Sequence, residues 1–143
     1  MAATCHAPGT RPWITPLPQA LYDSLETTPN RALAAAAFAL DSLGFDISRS
    51  SADEGYLETR WFDVTTAASS NTSGDSHKVK VRIWTDALRR DRSAIILEAV
   101  YEWTADPSLP PRQRERHVPD DHAGFEILRR VLRLLQQSYG LAR

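Results

Sequence analysis

A helical pattern of apolar residues occupies the segment between Thr28 and Gly44. Thr28 suits the N-cap, Pro29 suits the first helical position, and Gly44 follows the last apolar residue as a C-terminal cap. The pattern therefore predicts an alanine-rich helix that stops at Gly44. Its apolar face consists of residues that recur three or four positions apart, namely Leu33, Ala36, Ala37, Leu40 and Leu43.

A second helical pattern lies near the C-terminus of the chain. Asp120 or Asp121 is expected to cap a long helix that reaches about Tyr139 and closes at Gly140. One such helix is long enough to cover much of a sheet. Its central apolar stripe is formed by Phe125, Leu128, Leu132 and Leu135, with arginines on the opposite face.

Between the two helices, apolar and polar residues alternate in residues 45–50, 56–64, 78–85 and 93–103. Alternation of this kind is typical of strands with one buried face. Residues 20–28 are ambiguous, and we interpret them as a short first strand, with a helical turn as the alternative. The order (β)-α-β-β-β-β-α predicts an α+β fold: an antiparallel sheet of four to five strands with two helices packed on one face.

The register of the last two strands determines which charges meet on the outer face. If Val81 lies opposite Leu97, then Lys80 lies opposite Glu98. An exposed cross-strand ion pair of this kind contributes about 0.2–1 kcal/mol, which favours the register without holding the fold together.

The outer face of this sheet is the strongest candidate for a binding surface. Aromatic and arginine side chains are enriched at protein interfaces, and the alternation places several of them there. The alternatives are that the N-terminal segment folds back over this face, for example through Trp13, or that the rings stand among charged neighbours without a partner. Leu57, Thr59 and Trp61 are expected to face the core. The predicted partner-binding residues are Tyr56, Arg60, Phe62, Arg82 and Trp84.

Length and proline content divide the chain into a tether and one domain. With 143 residues the chain is long enough for a single core, and four prolines fall within the first eighteen residues. We therefore expect a Pro-rich N-terminal tether at residues 1–19 and a single α+β domain at residues 20–143.

The charge balance disfavours nucleic acid as a partner. The formal net charge is -1, whereas nucleic-acid binders are normally strongly basic. Basic clusters at residues 89–92 and 112–117 are diluted by acids and carry no stacking aromatic residues. No stretch approaches the roughly 20 apolar residues that span a bilayer.

No motif in the sequence specifies a reaction, and we predict that the protein is not an enzyme and holds no cofactor. The best metal candidate is the segment from His117 to His122, HVPDDH. Its two imidazoles lack the usual i, i+4 spacing, and acids at a helix entry favour a capping role, so we predict no metal site.

Cys5 is the single cysteine, so the chain forms no internal disulfide. It follows small residues and precedes a Pro-rich stretch, which resembles the lipidated start of mature bacterial lipoproteins. No charged or apolar signal region precedes it, and Thr4 departs from the usual small residue. We predict lipid attachment at Cys5 and a periplasmic location anchored to the outer membrane, with a free thiol on a cytoplasmic N-terminus as the alternative.

The segment ALDSLGFDISRSSADEGYLETRW, residues 39–61, resembles part of periplasmic lipoproteins of the BamC/NlpB type. The shared pattern is a helix that ends in Leu-x-x-x-Gly-Phe, a strand, an Asp, and Gly-x-Leu-x-Thr-x-Trp, here from Leu40 through Asp53 and Gly55 to Trp61. The resemblance implies a helix-grip domain, in which a C-terminal helix lies against an antiparallel sheet. It also implies an anchored, non-enzymatic accessory in outer-membrane protein assembly, although that family has two such domains.

Two functions of different classes follow. The first is a cell-envelope lipoprotein domain that contacts a partner protein through the outer sheet face or through a groove beside the last helix. The second is a carrier or sensor that binds a small hydrophobic ligand between the C-terminal helix and the sheet. A carrier needs an apolar cavity of roughly 300 Å3 or more.

Overall fold

The computed structural model of the chain describes residues 11–70 and 76–140, so Cys5 lies outside the described residues. Within those ranges the fold is α+β, as predicted, with two α-helices and an antiparallel sheet. In chain order the elements are β1 (Leu21–Leu25), α1 (Pro29–Ser42), β2 (Ile47–Ser51), β3 (Tyr56–Thr59), β4 (Trp61–Asp63), β5 (Ala68–Ser70), β6 (Lys78–Arg89), β7 (Arg92–Glu102), a short 3-10 helix (Pro111–Arg114), β8 (Glu115–His117) and α2 (Ala123–Tyr139).

Eight strands form this sheet, more than the four to five expected, and they occupy five rows. The long strands β6 and β7 pair at the centre. Strands β1 and β8 follow one another along the free side of β7, and β3 and β4 follow one another along the free side of β6. Strands β2 and β5 border β3 and β4. Three of the five rows hold two strands each, because the predicted strand 56–64 divides into β3 and β4 and because β5 and β8 are additional short strands.

Two segments outside the predicted helices and strands contain further elements. The polar segment 65–77 contains β5, which pairs with β4 in a short hairpin. The proline-rich segment 106–121 contains the 3-10 helix and β8, whose partner is the end of β7. Neither strand exceeds three residues, which is too short for a pattern of alternation to reveal.

The register of β6 and β7 differs by two residues from the expected one. Ile83 lies opposite Leu97, and Arg82 lies opposite Glu98. The two strands continue to a tight turn at Arg90 and Asp91, so the hairpin axis shifts along the strands. A shift of two residues leaves every side chain on its predicted face but replaces the expected Lys80–Glu98 pair.

The predicted strand 56–64 is interrupted at Arg60, and this interruption reverses its faces. The Arg60 N–H donates to the carbonyl of Asp46 between the end of β3 and the start of β4. A one-residue irregularity turns the following side chains over. Phe62 therefore enters the core, where it stacks on Phe45 with ring centroids 3.9 Å apart. Trp61, predicted to face the core, lies on the outer face instead, close to Lys80.

Both helices pack on one face of the sheet, as predicted, and share a single core. Val81 and Leu97 are fully buried there. The stripe of α2 covers the sheet through Phe125, Leu128, Val131 and Leu135, and α1 contributes a face of small residues that includes Ala32, Ala36 and Ala39.

The helix ends agree with the sequence pattern except at the start of α2, since α2 ends at Tyr139 with Gly140 as its cap. Helix α1 begins at Pro29 after Thr28, and Gly44 follows it with φ of +98°. Helix α2 is capped by His122 rather than by Asp120 or Asp121, because the His122 N–H closes a turn on the Pro119 carbonyl that leaves both acids ahead of the helix.

Candidate functional site

The described part of the predicted tether crosses the outer face of the sheet, and we call residues 11–18 the strap. Arg11 forms a two-pronged ion pair with Asp86, with N–O distances of 2.8 and 3.0 Å. The Leu17 N–H donates to Glu98 Oε1 at 2.9 Å, and Arg112 donates to the Thr15 carbonyl at 2.6 Å. Trp13 is fully exposed, so the strap does not dock through this ring.

Beneath the strap lies a cluster of charged side chains, the buried ion network, formed by Glu58, Arg82, Glu98, Arg112 and Glu115. Arg82 lies at its centre, with Nη1 3.2 Å from Glu98 Oε2 and both Nη atoms 2.7–2.8 Å from the Glu115 carboxylate. Arg112 binds Glu98 from the other side, at 2.6 and 2.9 Å. Glu98 has no solvent exposure, so these contacts replace the water that a carboxylate normally binds.

Tyr56 joins the network through Glu58. Its hydroxyl donates to Glu58 Oε1 at 2.7 Å, and Arg82 Nε donates to the same oxygen at 3.1 Å. Burial, together with this hydrogen bond, raises the pKa of Tyr56. Burial pushes the pKa of Glu58 upward, but the Tyr56 hydroxyl and the charges of Arg82 and Lys80 outweigh it and hold that pKa below its ordinary value.

All three carboxylates of the network are held by arginine side chains. Each of them accepts a hydrogen bond from Arg82, and Glu98 and Glu115 accept others from Arg112. The arrangement therefore commits these carboxylates to holding Arg82 and Arg112 in place.

An open trough lies between the strap and β2, and we call it the outer trough. It has two lobes, with volumes of about 260 and 350 Å3. The wall that the lobes share is formed by Arg49, Glu58, Trp61 and Lys80. The first lobe adds Ser48, Thr59, Arg60 and Ser70, and the second adds residues of the strap, β6, β7, the 3-10 helix and β8, including Pro12, Ile14, Arg82, Glu102, Arg112 and Glu115.

Positive charge exceeds negative charge along the outer trough. Six basic and three acidic side chains line the two lobes, and Glu98 lies beneath them. Arg82 and Arg112 are neutralised by the network, whereas the side chain of Arg49 is 58% exposed and 4.0 Å from Glu58. The trough therefore suits a ligand that brings negative charge.

The five predicted partner-binding residues fall in three places. Tyr56, Arg82 and Trp84 lie on the outer face but are buried beneath the strap or within the ion network. Phe62 lies in the core, because of the interruption at Arg60. Arg60 is exposed and lines the first lobe. The predicted face is therefore wrong for Phe62 alone, Tyr56, Arg82 and Trp84 are buried on the predicted face, and the binding role of all five stays a prediction.

Three residues that dominate the outer trough were not among the predicted site residues. Lys80 shares the face of Arg82 by alternation, so its position was readable from the sequence. Trp61 was assigned to the core, since nothing in the local pattern marks the break at Arg60. Arg49 reaches the trough from β2 through pairing with β3, which only the folded sheet defines.

Both histidines of the HVPDDH segment have protein hydrogen-bond partners. His117 Nε2 accepts from the Ala99 N–H at 3.2 Å, and its Nδ1 lies 2.9 Å from the Val118 carbonyl, which can only accept. His122 caps α2 by accepting from the Gly124 N–H at 2.8 Å. Among the described residues no group of three or more His, Cys, Asp or Glu side chains is placed to hold a metal ion. Neither described helix combines the length and apolar character that crossing a bilayer requires.

A second groove lies at the helix side of the molecule, and we call it the helix-end groove. It has a volume of about 360 Å3 and opens to solvent between the end of α1, the first turns of α2 and the β4–β5 hairpin. The space between α2 and the central strands is filled by the core. Six apolar residues and two charged ones line the groove: Leu43, Phe62, Val64, Ala67, Ala123, Ile127, Glu126 and Arg130.

Comparison with known proteins adds no family to these observations. The sequence matches no family model, and no curated protein matches it. The resemblance to BamC/NlpB-type lipoproteins therefore stays a prediction that depends on residues 39–61.

Proposed function

We propose that the chain is a non-enzymatic domain of the cell envelope that binds a partner protein through the outer trough. The observation that carries the proposal is that Trp61, Lys80 and Arg49 together line one wall of the outer trough above a buried ion network. Aromatic and arginine side chains of this kind are typical of binding hot spots.

The ion network supports the proposal through its energetics. Buried ion pairs often contribute no more stability than apolar residues of the same volume. The charges of Arg82, Arg112 and their glutamates therefore need a reason beyond stability, and fixing the floor of a charged trough supplies one. A floor held by many hydrogen bonds presents its binding groups without further ordering on association.

The cell-envelope part of the proposal depends on the sequence. A cysteine at position 5 ahead of several prolines suits a lipid anchor and a tether, with the protein held at the periplasmic side of the outer membrane. The likeness of residues 39–61 to BamC/NlpB-type lipoproteins suits a helix-grip domain and an accessory role in outer-membrane protein assembly. A cytoplasmic location with a free thiol at Cys5 is the alternative.

A photo-crosslinking experiment in the native host tests the partner-binding role. A photoreactive amino acid at Ser70, in the first lobe, should give a discrete covalent adduct with a partner, whereas the same group at Arg133 on α2 should not. Combining the Ser70 probe with Arg49→Glu and Arg60→Glu should remove the adduct, because both arginines border that lobe. An adduct that survives this charge reversal overturns the proposal.

The structure changes the choice of arginines for this test. Arg60 and Arg82 are the two arginines of the predicted partner-binding set. Arg82 is almost fully buried among three glutamates, so reversing its charge would unfold the domain rather than probe a surface. Arg49 replaces it, since its side chain is 58% exposed.

The helix-end groove favours a second candidate function, the binding of a small hydrophobic ligand. Its volume of about 360 Å3 exceeds the minimum for a ligand site, and six of its eight lining residues are apolar. If the chain is such a carrier, a fluorescent fatty-acid probe should bind the protein and be excluded by Ala123→Trp, which fills the groove. Equal binding by the variant, or no binding by either protein, rejects the carrier.

A further inference from the structure

Lys80 occupies an unusual position in the outer trough. Its side chain is only 19% exposed, yet the closest carboxylate oxygen, Glu58 Oε2, lies 3.9 Å from Nζ. That distance exceeds the range of a hydrogen bond. Among the hydrogen bonds of the described residues none involves Nζ of Lys80, whereas Glu58 Oε1 already accepts from Tyr56 and Arg82.

The surroundings of Lys80 define what its three N–H donors can bind. The ammonium lies 4.8 Å from the centroid of the Trp61 ring, which supports the cation from one side. Arg49 borders both lobes and Arg60 borders the first, so Lys80 shares the first lobe with two guanidinium groups and the second lobe with Arg49. An anionic oxygen ligand fits this set of donors and supplies the missing hydrogen bonds.

The shape of the trough favours a segment of chain over a small anion. The two lobes meet at the wall that contains Lys80 and extend in both directions from it. The second lobe also presents Pro12 and Ile14, which offer apolar contacts that an inorganic ion cannot use. An extended partner segment can occupy both lobes, while its carboxylates bind the positively charged side chains of the shared wall.

We propose that Lys80, flanked by Arg49 and Arg60, binds a glutamate or aspartate carboxylate of an acidic partner segment that lies extended along the outer trough. This inference rests on the proposed function, for which it names the chemistry of the partner. The partner segment carries at least one acidic residue at the junction of the lobes and apolar or small residues on the strap side.

Calorimetric titration of the full chain with a defined peptide tests the inference. The probe is an acetylated, amidated hexapeptide with two glutamates separated by one residue, and its control has glutamine at both positions. The acidic peptide should bind at least about tenfold more tightly, since a lost charge-assisted contact is worth upwards of 1.4 kcal/mol. Equal affinity of the two peptides overturns the inference.

Variants of Lys80 separate a binding role from a structural one. Lys80→Gln should lower the affinity for the acidic peptide by at least about tenfold. Lys80→Arg should retain most of that affinity because the positive charge remains. Lys78→Gln on the same strand lines neither lobe and is the matched control, which should bind as the parent does. If Lys80→Gln and Lys78→Gln bind alike, Lys80 is not the carboxylate site.

Three further outcomes test this inference and separate it from the proposed function. Inorganic phosphate that binds as tightly as the acidic peptide would show a general anion site and overturn the peptide assignment. A crosslink at Ser70 that is lost in Arg49→Glu/Arg60→Glu but kept in Lys80→Gln refutes the carboxylate assignment while the partner-binding role stands. Peptide binding without any crosslink refutes the partner-binding role alone.

Discussion

Arg82 and Glu98 face each other across the central strands β6 and β7, with Nη1 3.2 Å from Oε2 in a place where Glu98 has no contact with water. Their cross-strand position fixes the centre of the outer face. Glu58 and Glu115 both bind Arg82, and Arg112 binds Glu98 and Glu115. This pair therefore links the register of the sheet to the floor of the outer trough.

Arg82→Met should destabilise the protein strongly. The change leaves Glu58, Glu98 and Glu115 without their shared partner, and breaking a buried ion pair costs about 3–5 kcal/mol. Arg133→Met is the matched control, because the side chain of Arg133 is 60% exposed and 3.9 Å from Glu126. Its cost should stay within about 0.5 kcal/mol. Urea unfolding followed by circular dichroism measures both, and similar midpoints would contradict the network.

Two tryptophans test whether the strap covers the outer face as described. Trp84 is 2% exposed beside Tyr56, so Trp84→Ala should lower the free energy of unfolding by about 3–5 kcal/mol. Trp13 extends fully into solvent, so Trp13→Ala should change it by less than about 0.5 kcal/mol. A large loss in Trp13→Ala, measured by the same urea unfolding, would mean that this ring docks on the sheet.

Gly55 and Gly44 separate steric contact from backbone strain. Both have positive φ, of +66° and +98°, which side chains rarely tolerate. A Cβ at Gly44 meets nothing closer than 3.5 Å, so Gly44→Ala should cost about 1–3 kcal/mol for backbone strain. A Cβ at Gly55 would lie 2.1 Å from the Thr85 carbonyl oxygen, so Gly55→Ala should cost more than about 3 kcal/mol. Thermal unfolding ranks the two variants, and the reverse order would contradict the close approach of Gly55 to β6.

His117 should make stability depend on pH below neutrality. Its Nε2 accepts from the Ala99 N–H, and burial lowers the pKa of the ring despite the Val118 carbonyl and the charge of Glu98, with Arg112 and Asp120 also nearby. At pH values between the ordinary pKa of about 6.5 and the lower pKa of the folded state, His117 binds a proton in the unfolded chain but not in the native state. The free energy of unfolding should therefore fall as the pH drops below about 6.5.

The variant His117→Gln assigns this pH dependence. Urea unfolding at several pH values should give a flatter profile between pH 6.5 and 5 than in the parent. Glu58 does not contribute in this pH range. Its pKa is lowered, so protonation of Glu58 reduces the free energy of unfolding only in more acidic solution. A parent-like slope in the variant would rule out His117 as the titrating group.

The sequence determined the α+β class and most of the core. Val81, Ile83 and Leu97 alternate with polar residues, and an antiparallel strand with one covered face needs no more information than that. Pro29 and Gly44 fixed the ends of α1 through the backbone angles that they allow. The conformational preferences of residues act over a few positions of the chain. Helices and strands can therefore be predicted wherever the pattern of apolar and polar residues is long and regular.

The tertiary structure decided the candidate site. At the break between β3 and β4, the Arg60 N–H donates to the carbonyl of Asp46 just before β2, and the break exchanged the faces of Trp61 and Phe62. The outer trough combines the strap with strands that lie far apart in sequence. Alternation predicts which side chains share a face of the sheet. It does not predict which charges are buried together, because that depends on the register of strands far apart in sequence and on the segment that covers the sheet. Both are determined by the free energy of the whole fold.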